Sequence, residues 1–234
     1  MIRLDKILAH CGYGSRKEVK ELIRKGYVLV NGEVVLDDDF KVDPQIDEIT
    51  VANEDVSYDE FIYLMLNKPD GYVSATFDNN DPTVLDLIYG YENRNLFPVG
   101  RLDKDTTGLL LLTNDGKLAH KLLSPKHHVN KTYYVQYKGL LNNNAIIKFK
   151  EGIVIDDGYK CLPALLEIKG ENEALITIQE GKFHQVKRMF EAVNCNVTYL
   201  QRIAFGGIKL DDKLVEGEYR LLTEEEINLL KENN

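Results

Sequence analysis

Four consecutive leucines, Leu109, Leu110, Leu111 and Leu112, stand between Thr106-Thr107-Gly108 and the turn sequence Thr113-Asn114-Asp115-Gly116. A short unbroken apolar run closed by turn residues has the pattern of a buried strand. Such a strand can hold the loop before it rigidly, and rigid support is what a catalytic carboxylate needs. Asp103 lies in that loop between Arg101 and Lys104. Opposite charges nearby favour the ionised carboxylate, which can then act as a nucleophile or general base. The plain structural alternative is a charged turn closed by a local salt bridge.

The chain has 234 residues, enough for one large domain or two modest ones with usable cores. Its three cysteines, Cys11, Cys161 and Cys195, are widely spaced with no metal-ligand pattern, as expected of reduced thiols in a cytoplasmic protein. No stretch of 18 consecutive apolar residues occurs, and the start carries no long apolar export core, so no membrane association is expected. The net charge of −9 argues against indiscriminate nucleic-acid binding but leaves room for a local basic face. Residues 3–25 carry Arg3, Lys6, Arg16, Lys17, Lys20, Arg24 and Lys25 against three acids, whereas residues 33–48 carry seven acids against Lys41.

The basic segment reads as two short helices. Leu4, Ile7 and Leu8 have helical spacing, and Gly12 and Gly14 end that helix. Ser15-Arg16-Lys17-Glu18 has the form of a capping box. The helix it opens puts Val19, Leu22 and Ile23 on one face and leaves Arg16, Lys17, Lys20 and Arg24 largely on the other. Asn31-Gly32 between two apolar runs predicts a hairpin, and residues 46–51 a further strand. A basic helix face on so small a unit suits RNA phosphates; a solvated surface is the alternative. The order Arg-Leu-Asp-Lys, Gly-x-Gly-Ser-Arg, Gly-x-Val-x-Val-Asn-Gly resembles the S4 RNA-binding module, which implies RNA contacts from Arg3, Arg16, Lys17, Lys20 and Arg24. The module is assigned residues 1–51, and the polar, acidic stretch 52–60 reads as a linker.

The remainder, residues 61–234, resembles the RsuA branch of the pseudouridine synthases. The resemblance rests on Tyr-Leu-Met-Leu-Asn-Lys-Pro-x-Gly-Tyr-Val-Ser from Tyr63, Gly-Arg-Leu-Asp-x-Asp-Thr-Thr-Gly from Gly100, Ser-Pro-Lys-His-His from Ser124, Lys-x-Tyr from Lys131 and His-Gln-Val-Lys-Arg from His184. It implies an α+β fold: the small S4-like domain, then a mixed, mainly antiparallel sheet with flanking helices. In that family the Asp of Arg-Leu-Asp is essential, here Asp103. Tyr133 stacks on the target uracil, and Lys187 pairs with Asp103. Other branches often carry Arg at the position of Lys187; Lys keeps the charge but loses the bidentate fork. Lys126, His127, His128, Lys131 and Arg188 are expected at the RNA surface. Arg101 either fills the gap left by the extruded base or makes a salt bridge within its loop. The adjacent His127 and His128 point apart on an extended loop with no third ligand nearby, so no metal is expected.

The implied reaction converts uridine in RNA to pseudouridine. The N1–C1′ bond breaks, uracil turns, and C5 joins C1′, with no cofactor. Glycosidic cleavage builds positive charge on the sugar; Asp103 can stabilise that charge, attack the sugar or remove a sugar proton. Asp-Thr-Thr-Gly, Ser-Pro-Lys-His-His and His-Gln-Val-Lys-Arg-Met-Phe favour the small-subunit (16S) rRNA enzyme and the uridine-516-type site. The expected partner is small-subunit rRNA, naked or in an assembly intermediate, met by a monomer. Three alternatives stand beside this one. They are a 23S rRNA synthase of the same family, a non-catalytic RNA-binding ribosome-assembly factor, and a glycosidase using Asp103 and Asp105 that would leave the S4-like module unexplained.

Overall fold

A computed structural model describes residues 1–232, and the chain forms two compact units. The first comprises residues 1–62 together with 88–96; the second comprises residues 63–87 and the chain from Phe97 onward.

The first unit contains β1 (Ile2–Arg3), α1 (Leu4–His10), α2 (Arg16–Arg24), β2 (Val28–Val30), β3 (Glu33–Val34), β4 (Lys41–Val42), β5 (Ile49–Val51) and β6 (Glu54–Asp55). Leu4, Ile7 and Leu8 of α1 pack with Val19 and Ile23 of α2 and with the inward residues of β2 and β5 in one core. The capping box is present: Ser15 Oγ accepts from the Glu18 amide, and Glu18 Oε2 accepts from the Ser15 amide at 2.7 Å. Ser15→Ala should cost this unit about 1 kcal/mol, read from its unfolding in urea. Asn31 and Gly32 both adopt left-handed backbone (φ 53° and 82°), the geometry of the tight turn that joins β2 to β3. Strand β6 falls within the stretch 52–60 that reads as a linker.

The charge segregation along the sequence does not persist in space. Arg3 grips Asp5 with two hydrogen bonds of 3.0 and 2.9 Å and also pairs with Asp39. Asp38 sits 2.7 Å from Arg24 and 3.3 Å from Lys20. The acidic turn thus folds back onto the basic helices, and Arg16 and Lys17 are left without an ion pair among the described residues.

The second unit contains β7 (Tyr63–Lys68), β8 (Phe97–Pro98), β9 (Thr107–Thr113), α3 (Gly116–Leu123), β10 (Lys131–Lys138), α4 (Asn143–Glu151), β11 (Leu165–Gly170), β12 (Glu173–Ile178), α5 (Gln185–Glu191), β13 (Asn196–Phe205), β14 (Ile208–Lys209), β15 (Tyr219–Leu221) and α6 (Glu224–Glu232). One sheet runs β11-β12-β10-β13-β9-β7-β15, with β14 on β13 and β8 on β9. Every pairing is antiparallel except β9 with β13, which is parallel at Thr107 and Gly108. The fold is therefore α+β with a mixed, mainly antiparallel sheet.

The leucine run is the buried strand β9, with all four leucines at most 3% exposed. Leu109 and Leu111 pack with Leu118 and Leu122 of α3, Phe205 and Leu230. Asp115 caps α3 by accepting from the Leu118 amide at 3.0 Å, and its other oxygen accepts from Tyr63 Oη at 2.8 Å. Over residues 196–209 the chain forms the hairpin β13–β14, because Gly206 and Gly207 both take positive φ and reverse it. Between β7 and β8, Val84–Leu87 form a single 3₁₀ turn. No described helix is long and apolar enough to cross a membrane.

Candidate active site

The loop carrying Asp103 is pinned through its backbone. Lys68, at the end of β7, is fully buried, and its Nζ donates to the carbonyls of Pro69, Lys104 and Thr106 at 2.9–3.0 Å. Burial pushes this ammonium down to about 8, so it stays charged at neutral pH. Ser74 Oγ donates to the Leu102 carbonyl and accepts from the Leu102 amide, both at 3.0 Å. The Thr106 amide closes the turn onto the Asp103 carbonyl at 3.0 Å. A lysine ending the apolar strand Tyr63-Leu64-Met65-Leu66-Asn67 was the sequence signal for this clamp, but its three acceptors are revealed only by the fold.

Asp103 is about a quarter exposed, and its sequence neighbours do not pair with it. Lys104 turns to Asp81 at 2.6 Å, and Arg101 forms no ion pair among the described residues. This corrects the expectation that Arg101 and Lys104 pair with the carboxylate, and it removes the salt bridge within the loop: Lys104 is drawn to Asp81, and Asp103 is directed to α5. The basic side chains that do face Asp103 come from the start of α5 and the residue before it. Lys187 Nζ lies 3.6 Å from Asp103 Oδ2, and His184 Nε2 lies 3.8 Å from Asp103 Oδ1. Lys187 also bonds Asp105 Oδ1 at 2.6 Å and so bridges the two carboxylates. Burial alone would raise the Asp105 pKa, but the hydrogen bond and charge of Lys187 outweigh it and hold the carboxyl below its ordinary value.

Helix α5 is set in place by a polar network. Glu180 Oε1 accepts from Gln185 Nε2 at 2.7 Å and from the Leu162 amide at 2.8 Å, while Gln185 Oε1 accepts from the Lys182 amide at 2.8 Å. His184 takes left-handed backbone (φ 49°) as the helix begins, and its ring stacks on exposed Phe183 with centroids 3.8 Å apart. His184 belonged to a quoted motif, yet the sequence offered no separate role for it.

Tyr133 comes from β10, where a bulge against β13 falls between Thr132 and Tyr133. Bulges re-aim side chains at sheet sites of this kind. Tyr133 is 7% exposed and lines a pocket of about 70 Å³ with Arg101, Asp103, Thr106, His184 and Val186. A wider cleft of about 1180 Å³ is bordered by Arg101, Asp103, Asp105, Phe183 and His184. A pinned carboxylate, a bridging lysine and an aromatic ring thus converge on one concavity, which suits charge stabilisation beside a planar ligand.

The remaining predicted residues are dispersed around this centre. Lys126, His127 and His128 are exposed in and just after the 3₁₀ turn Pro125–His127. Lys131 is half-buried and donates to the Val129 carbonyl at 3.0 Å. Arg188 is held by Asp156 and Asp157 at 2.5 and 2.7 Å. Among the described residues there is no group of three or more His, Cys, Asp or Glu that could hold a metal ion.

Residues 62–192 match the family described as RNA pseudouridylate synthase, and residues 2–45 match the S4 domain. An uncharacterized RNA pseudouridine synthase of Bacillus subtilis (strain 168) is 52% identical, over 99% of this chain and 99% of that protein. The ribosomal small subunit pseudouridine synthase A of Escherichia coli (strain K12) is 42% identical, over 97% of this chain and 98% of its own. A crystal structure of a pseudouridylate synthase superposes with a TM-score of 0.69 at 39% identity, covering 98% of this chain and 100% of that one.

Proposed function

This chain belongs to the RNA pseudouridine synthases that carry an S4 domain, and from that premise we propose that it isomerises the uridine-516-type site of small-subunit (16S) rRNA with Asp103 as catalytic carboxylate. The enzyme is an isomerase of the small-subunit branch by similarity; the target nucleotide and the residue roles are our reading. The observation that carries it is the convergence of Asp103 and Tyr133 on one pocket, with Lys187 at 3.6 Å from the carboxylate.

A uridine inside folded RNA must leave its stack to reach such a pocket. The extruded uracil lies on Tyr133, and the ribose C1′ faces Asp103. As the N1–C1′ bond breaks, the sugar gains positive charge, which an ionised Asp103 stabilises or captures. Uracil then turns, C5 bonds C1′, the C5 proton leaves to solvent, and N1, freed from the sugar, takes up a proton from solvent. Lys187, 3.6 Å away, aims the Asp103 carboxylate. Arg101, exposed at the cavity and with no ion pair among the described residues, fills the space the base vacates. Residues 1–51 dock the RNA, with Arg16 and Lys17 among the cations there that form no ion pair within the described residues. Arg3, Lys20 and Arg24 contribute only where phosphate displaces Asp38 and Asp39. Residues 52–60 link this docking to catalysis in 61–234, where Lys126, His127, His128, Lys131 and Arg188 border the RNA path. The enzyme acts as a cytoplasmic monomer.

Lys187→Met should lower pseudouridine formation about 10²-fold while changing RNA affinity little, because it removes the cation shared by Asp103 and Asp105. Lys187→Arg should restore most of the rate, measured in single turnover. The mapping experiment incubates small-subunit rRNA, with and without ribosomal proteins, and large-subunit rRNA in parallel. Pseudouridine is located by chemical adduct and primer extension. A single small-subunit position supports the proposal. A large-subunit position moves the target to 23S rRNA, and tight binding with no product on any RNA favours the assembly-factor reading.

A further inference from the structure

A second cavity, of about 450 Å³, shares Arg101, Tyr133, Gly181 and Lys182 with the pocket at Asp103 but not Asp103 or His184, and adds Lys131 and Arg202. Arg101, Lys131, Lys182 and Arg202 all border it. None of the four forms an ion pair among the described residues, whereas Arg3, Arg24, Arg188 and Arg220 are all matched to carboxylates. Arg202 is 2% exposed; its Nε donates to the Leu109 carbonyl at 2.7 Å, and its buried Nη2 has no acceptor. Its guanidinium lies 5.0 Å from the centre of the Phe205 ring, and Lys131 Nζ lies 5.6 Å from the same centre. Two cations therefore share one ring, and neither forms an ion pair among the described residues; the charge of Glu180 reaches Lys131 only at longer range.

Glu180 is the one carboxylate residue on this wall, and its oxygens already accept from Tyr159 Oη, the Leu162 amide and Gln185 Nε2 at 2.7–2.8 Å. Burial, with the charge of Arg202, pushes the Lys131 ammonium down to about 8, which leaves it charged at neutral pH. Lys131 and Arg202 each donate to a backbone carbonyl but meet no carboxylate at ion-pair distance; desolvated charge matched only by neutral acceptors is costly, and an incoming anion with several acceptor oxygens answers both Lys131 and the unpaired Nη2.

We propose that this cavity is a phosphate-binding subsite in which Lys131 and Arg202 hold one backbone phosphate of the RNA beside the uridine at Tyr133. The source of the phosphate rests on the pseudouridine synthase reading; the anion site rests on the cavity itself. A phosphate fixed on the far side of Tyr133 anchors the attached ribose and sets its position relative to Asp103.

The test uses the full chain and a small-subunit rRNA fragment containing the mapped uridine. Each phosphate near that uridine is replaced in turn by an uncharged methylphosphonate. In the wild type one linkage should weaken binding about tenfold when neutralised. Lys131→Gln should shrink that penalty to less than about threefold, and Lys131→Arg should retain it. Thermal melts confirm that the variants fold. A penalty of equal size in Lys131→Gln, or no sensitive linkage, overturns the proposal. Inorganic phosphate, added at constant ionic strength while the Lys131 Nζ resonance is followed, reads the cavity without RNA. Saturable binding lost in Lys131→Gln supports the anion site even if the fragment is never modified, an outcome that would instead defeat the functional reading. Phosphate binding there without any sensitive linkage assigns the site to free phosphate and overturns the backbone source.

Discussion

Asp103→Asn is expected to lower the single-turnover rate of pseudouridine formation by at least about 10³-fold, with RNA affinity nearly unchanged. The amide keeps the shape of the carboxylate but cannot attack the sugar, accept its proton or offset its positive charge. The loop should stay in place, because it is held through backbone atoms by Lys68 and Ser74 rather than through the Asp103 side chain. The rate loss should therefore come without a shift in melting temperature. Asp105→Asn is the informative companion. It removes the nearer partner of Lys187 and leaves that cation to Asp103 alone, so its rate should fall far less. If Asp105→Asn were the inactive variant and Asp103→Asn the active one, the two carboxylates would exchange roles.

Gly108→Ala should destabilise the catalytic unit by at least about 3 kcal/mol. Gly108 has φ +97°, and a Cβ there would sit 2.4 Å from the Arg202 carbonyl oxygen and 2.9 Å from the Arg202 amide nitrogen. Both are backbone atoms of β13, and Gly108 is where β9 and β13 run parallel. Relief of the clash requires separating those strands, which would also displace Thr106 and the loop before it. Gly116→Ala is the control. It lies in the first turn of α3, nothing stands within 4 Å of the added Cβ, and the change should be neutral or slightly stabilising. Urea unfolding of the two variants beside the wild type separates the cases.

The tetrapeptide Arg-Leu-Asp-Lys occurs twice, and its two fates show how far the sequence could be read. At Arg3 it opens α1, and Asp5 is buried under a two-bond grip from Arg3. At Arg101 the same residues lie in a loop that turns at Asp103, where arginine and aspartate form no ion pair and Asp103 faces α5 instead. Local signals decided the elements: the leucine run, the capping box at Ser15 and the Asn31-Gly32 turn each depend on neighbours a few residues away. The ion pairs depended on residues far apart in the chain. Asp38 meets Arg24 across a hairpin, and Lys187 reaches Asp105 across most of the second unit. Arg202 and Lys68 belong to the same class: each sits in a strand pattern, and only strand pairing places one behind Tyr133 and the other under Asp103. The motif resemblance brought Asp103, Tyr133 and Lys187 together before any geometry did, but it was silent on the share of Lys187 taken by Asp105.

The most direct test follows the C5 hydrogen of the target base, which must leave when C5 joins C1′. Small-subunit rRNA made with tritium at uridine C5 is incubated with the wild type and with Asp103→Asn, and tritium in water is counted. The account predicts release approaching one equivalent per RNA from the wild type and none from Asp103→Asn. Equal release from both proteins, or none from the wild type on RNA that it binds, would contradict it.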